Sequence, residues 1–130
     1  MRAYLPISHG DLEKFLTDQS HSADKVFAPT SGFVNENLDC DEEEIEYSLS
    51  LLAAEDALDL ESDGSGIPVV LAFEVSEDAL MDFDEISGVP TRALHWKEVE
   101  AVFTVGDDVE DLTWFAPQEV PALIEEWLKG

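Results

Sequence analysis

Carboxylates dominate the residues of this chain that could do chemistry. Its 130 residues include 31 Asp and Glu, 6 Lys and Arg, 3 His and 1 Cys. Carboxylates can serve general acid–base catalysis or hold a hard cation, but only at a spacing that stands out from such a background. Asp59-Leu60-Glu61-Ser62-Asp63-Gly64 opens like a calcium loop, with alternating acids and then glycine. The pattern then fails, because Gly66 holds its eighth position and Val70 its twelfth, where a bidentate glutamate is required. His9, His21 and His95 lie far apart, and none belongs to a metal-binding His or Cys pair. Cys40 sits between Asp39 and Asp41, whose charge disfavours the thiolate that a nucleophile needs. The chain has no Gly-x-Ser-x-Gly elbow and no phosphate-binding glycine loop. Read this way, it nominates no catalytic residue, no metal ligand and no cofactor.

Charge layout is more informative. The net charge is −25, and between Lys25 and Arg92 there are eighteen Asp and Glu with no Lys or Arg. Such a surface repels phosphate, which argues against direct nucleic-acid binding and against an anionic membrane. It attracts a basic protein and speeds the encounter. The residues expected to face a partner are Asp41, Glu42, Glu43 and Glu44, then Glu55, Asp56 and Asp59, with Trp114 and Gln118. The same charge also fits a solvated acidic face that keeps the chain soluble, or mimicry of DNA to occupy a nucleic-acid-binding protein.

These residues need elements to position them. Arg2 to Ile7 alternates, with Ala3, Leu5 and Ile7 on one side, and reads as a half-buried strand that Pro6 ends or places at an edge. Ser8 to Asp11 has capping-box spacing, and Leu12, Phe15 and Leu16 give the following helix its stripe. Gln19 to Lys25 reads as a loop and Val26 to Ala28 as a short strand. Asp41 to Glu44 puts four acids in the first turn of a helix running to about Leu60, where the dipole favours them. That helix carries two apolar stripes, one through Ile45, Leu49, Leu52 and Ala53, the other through Tyr47, Leu51, Ala54 and Leu58. Ile67 to Val75 is nearly continuous apolar sequence, as in a central strand buried on both faces. Ser76 to Gly88 is acidic and irregular, with a helical turn at Asp78 to Met81. Thr91 to Trp96 and Glu98 to Val105 are strands, the second with Val99, Ala101, Phe103 and Val105 on one side. Leu112 to Phe115 is a last strand, and Pro121 starts the closing helix, as proline fits a first helical position. The expectation is one α+β domain over residues 1–130, with a mixed sheet of about six strands and three helices in the order β-α-β-α-β-β-β-β-α.

That order resembles the ADP-ribosyltransferase fold. By that resemblance Arg2, the Thr30-Ser31 turn and Glu98-Val99-Glu100 stand where the arginine, serine and glutamates of one branch would be. It implies a diverged enzyme, with Arg2 on a pyrophosphate and Glu100 on an oxocarbenium-like sugar. A second resemblance is carried by Met1-Arg2-Ala3-Tyr4-Leu5-Pro6, by Glu46-Tyr47 and by Trp114-Phe115-Ala116-Pro117-Gln118-Glu119. These are similar to motifs in a family of small actinobacterial proteins of unknown function, which implies an intracellular location, a single folded unit and no particular chemistry.

The function expected from the residues is a non-enzymatic binding or regulatory module for a basic macromolecular partner. The single cysteine fits a reducing cytoplasm, the first residues lack a signal-peptide pattern, and no apolar run approaches membrane-spanning length. Oligomeric state is left open by these features.

Overall fold

The structure is a computed structural model describing residues 2–22, 25–28, 42–60, 68–75, 80–82, 87–106 and 112–128. The order is β1 (Arg2–Ile7), α1 (His9–Asp18), β2 (Ser20–His21), β3 (Val26–Phe27), α2 (Glu42–Leu60) and β4 (Val69–Glu74). There follow β5 (Leu80–Asp82), β6 (Ser87–Pro90), β7 (Leu94–His95), β8 (Val99–Val105), β9 (Leu112–Phe115) and α3 (Val120–Leu128). Short 3-10 turns at Trp96–Glu98 and Pro117–Glu119 lead into β8 and α3.

Seven strands form one sheet in the order β5-β6-β3-β1-β4-β8-β9, and β2 pairs with β7 in a separate ribbon. Every described ladder is antiparallel, where a mixed sheet was expected. The α+β class and the three helices hold. The alternating side chains of the inner strands divide the core in two. On one face Ala3, Leu5, Ile7, Val69, Leu71 and Phe73 meet Leu12 and Phe15 of α1, with Val120, Ile124 and Trp127 of α3. On the other, Tyr4, Val70, Ala72 and Ala101 meet Ile45, Leu49, Ala53 and Ala57 of α2. Alanines stand on both sides of that contact, Ala53 and Ala57 on the helix and Ala72 and Ala101 on the sheet.

Local chemistry explains the helix ends. Ser8 caps α1, its hydroxyl accepting the Asp11 N–H at 3.3 Å. Gln19 ends it in the left-handed region, at φ 62°, with its N–H donated to the Phe15 carbonyl. Pro121 lies in the first turn of α3, and the 3-10 turn precedes it as the sequence suggested.

Three further expectations are corrected. The Gln19 to Lys25 loop contains β2, because Ser20 and His21 find partners in His95 and Leu94. The helical turn expected near Leu80 and Met81 is β5, paired with β6, while Asp78 and Ala79 lie outside the described residues. β1 is not an edge strand but the middle of the sheet, and Tyr4 is buried on its second face. Pro6 is tolerated there because β3 pairs with β1 only at Tyr4, so at Pro6 no strand on that flank requires an N–H.

Candidate partner-binding surface

The nominated acids do not form one face. Asp41 lies outside the described residues, and Glu42 begins α2. Glu43, Glu44, Glu55 and Asp59 are exposed and Asp56 is half-buried. At about 100° per residue, α2 has two flanks on either side of its buried stripe. One flank carries Asp56 and Asp59, which share a cavity of about 400 Å³ with Leu5, Pro6, Ile7, His21 and Lys25. This flank therefore faces the β3 side of the sheet, where Lys25 also lies 5.5 Å from the Phe27 ring centre. The opposite flank carries Tyr47, Leu51 and Leu58 and lies on the β8 side of the helix. Near its N-terminal end, Glu43, Glu44, Tyr47 and Ser48 line a shallow depression of about 500 Å³. The second apolar stripe is thus only partly used in the core: Ala54 is buried, Leu51 and Leu58 are half-buried, and Tyr47 is 54% exposed.

Trp114 and Phe115 separate as neighbours in a strand must. Phe115 turns to the α1–α3 core and meets the Trp127 ring edge-on at 5.2 Å. Trp114 stands on the other face and is 58% exposed. Phe103 lies opposite it on β8, and Phe103 and Leu112 are both half-buried at the border of the α2 core. Phe103 joins that core with Ala101 and Val105 as expected, but Val99 faces the α1–α3 core. A register shift between Ala72 and Phe73 pairs them with Ala101 and Val99, leaving Glu100 as an extra residue that reverses the alternation.

Two further acidic groups, Glu98 and Glu119, hold structural contacts. Glu98 accepts from Arg92 Nη1 and Nη2 at 2.9 and 2.6 Å and from the His95 backbone N–H at 2.9 Å. The Arg92 hydrogen bond, opposed by partial burial and helped by the His95 N–H, lowers the Glu98 carboxyl to about 2. Glu119 accepts the Ala116 N–H at 2.8 Å and so closes the turn before α3, while Gln118 is exposed. Burial pushes the Tyr4 hydroxyl up to about 12, with Arg2 opposing and Glu46 reinforcing the shift. Among the described residues no group of three His, Cys, Asp or Glu is placed to hold a metal ion. Cys40 and the calcium-loop-like segment after Leu60 lie outside the described residues.

The arginine–serine–glutamate constellation gains nothing here. Arg2 is half-buried on β1 and Glu100 exposed on β8, with β4 between them, so their backbones are about 10 Å apart. Glu98 is engaged with Arg92, and Ser31 lies outside the described residues. The groups this surface exposes are carboxylates and two aromatic rings, Tyr47 and Trp114, both chemically suited to cationic side chains. Sequence reasoning nominated Trp114 but missed Tyr47, Phe103 and Leu112, whose apolar character signals core as readily as surface.

A model of a family of unknown function, DUF6912, matches residues 1–108. The match spans more than half of the chain, which therefore belongs to that family. The Trp114 to Glu119 motif falls beyond the matched residues. No curated protein and no solved structure matches the chain, so the likeness to ADP-ribosyltransferases finds no support there. No helix among the described residues is long and apolar enough to cross a membrane.

Proposed function

We propose that this member of a family of unknown function is a non-enzymatic binding or regulatory module for a basic macromolecular partner in the cytoplasm. One observation carries the reading: Glu43, Glu44 and the half-exposed Tyr47 ring line a single depression on α2. A lysine or arginine side chain entering it would meet carboxylates and an aromatic face together. The net charge of −25 draws such a partner in from beyond contact distance.

The test is a competition between two charge-matched variants. One replaces Glu43, Glu44 and Glu55 by glutamine, the other replaces the exposed Asp18, Glu100 and Glu126 by their amides. Partners captured at about 0.05 M salt and released by about 0.3 M salt should be lost with the first variant and kept with the second. Equal capture by both would remove α2 as the binding surface. Release of the captured protein by duplex DNA would instead point to DNA mimicry.

A further inference from the structure

We propose that the outer edge of β9 takes up an extended, basic segment of another protein as an added strand, its apolar side chains lying over Trp114. The inference rests on the reading of the chain as an acidic binding module and adds a second contact surface beside the α2 depression, with the conformation the partner takes there.

Backbone direction makes the first argument. The Val105 N–H is donated to the Pro68 carbonyl at 3.0 Å, toward β4. Backbone groups of successive strand residues point to opposite sides. Val105 and Phe103 therefore address β4, while Thr104 and Val102 address β9, where they face Thr113 and Phe115. By the same alternation Leu112 and Trp114 turn their N–H and C=O groups outward. β9 ends the sheet, and among the described residues no strand pairs with that edge. An added strand would bond to Leu112 and Trp114 without disturbing the ladder to β8.

Side chains make the second. Trp114 is 58% exposed beside half-buried Phe103 and Leu112, which pack at the border of the α2 core on the same face. An incoming strand would place alternate side chains on this face and bury the indole. Charge then selects the occupant. A second copy of this chain would bring −25 against −25, whereas a segment alternating lysine or arginine with valine or isoleucine complements both the charge and the apolar strip.

The experiment uses the full chain and three synthetic probes, two of about eight residues and a charge-matched third of about four. One alternates lysine and valine, one is the same peptide N-methylated at every interior amide, and one is an oligolysine of equal charge. Fluorescence anisotropy measures binding to the wild type and to Trp114→Ala, whose folding is checked by circular dichroism. The lysine–valine peptide should bind, and N-methylation or Trp114→Ala should each weaken it at least about tenfold, while oligolysine ignores the substitution. Equal binding of methylated and unmethylated peptides, or no effect of Trp114→Ala, overturns strand addition at β9 and leaves the acidic-module reading standing. Failure of every basic probe to bind with salt sensitivity overturns the module reading itself. A dimer that Trp114→Ala dissociates would assign the edge to a second copy and also overturn the proposal.

Discussion

Replacing Phe15 with alanine tests the packing that holds α1 to the sheet. Phe15 is 0% exposed. Its ring stacks on Phe73 at 6.0 Å and His21 at 5.5 Å and meets Trp96 edge-on at 5.2 Å. One side chain thus ties α1, β4, the β2–β7 ribbon and the turn before β8. A buried phenylalanine truncated to alanine loses about 3 to 5 kcal/mol, and a site clamped from several directions collapses poorly, so we place the loss near 4 kcal/mol. An unfolding entropy of about 2.1 cal/mol/K per residue gives about 0.27 kcal/mol/K for 130 residues, so Tm should fall by about 15 °C. Urea denaturation with an unchanged m-value isolates the stability change. Phe15→Leu should recover more than half of it. A loss under about 1.5 kcal/mol, or no recovery by leucine, would refute the claim that ring packing fastens α1.

Other outcomes follow from single contacts. Ser8→Ala removes the α1 cap and should cost about 0.5 to 2 kcal/mol in urea titrations. Gln19→Gly relieves a left-handed residue and should gain a few tenths of a kcal/mol, net of the side-chain bond to the Leu16 carbonyl, also read by urea. Glu98 has a lowered carboxyl, so its contribution is present above about 4.5 and lost as pH falls toward about 2. The Tm gap between wild type and Glu98→Gln should therefore close across that interval. Tyr4 has the opposite sign: its raised value stabilises the fold below about 10, and that stability is lost as pH rises toward about 12. Ultraviolet titration should show a phenolate step near pH 12 that Tyr4→Phe removes.

Local signals were legible where they act within one element. Ser8 and Asp11 cap a helix over three residues, and Pro121 marks the first turn of another. The unbroken apolar run of β4 announces burial on both faces, since any central strand with helices on each side needs it. Acidity, too, was legible as composition. Pairing was not. β2 and β5 are two and three residues long, too short for a period, and exist because distant segments meet them. Pro6 reads as an edge signal until the short reach of β3 is known. The alternation of β8 is broken at Glu100 by a bulge against β4, which no periodicity within β8 announces. For the candidate surface, the sequence by itself determined that carboxylates and a tryptophan were available. Only the tertiary structure decided that Asp56 and Asp59 turn toward β3 while Tyr47 turns the other way, and that β9 ends the sheet with Trp114 outward. The physical reason is that exposure belongs to what packs over a residue, and packing joins segments that are far apart in the chain.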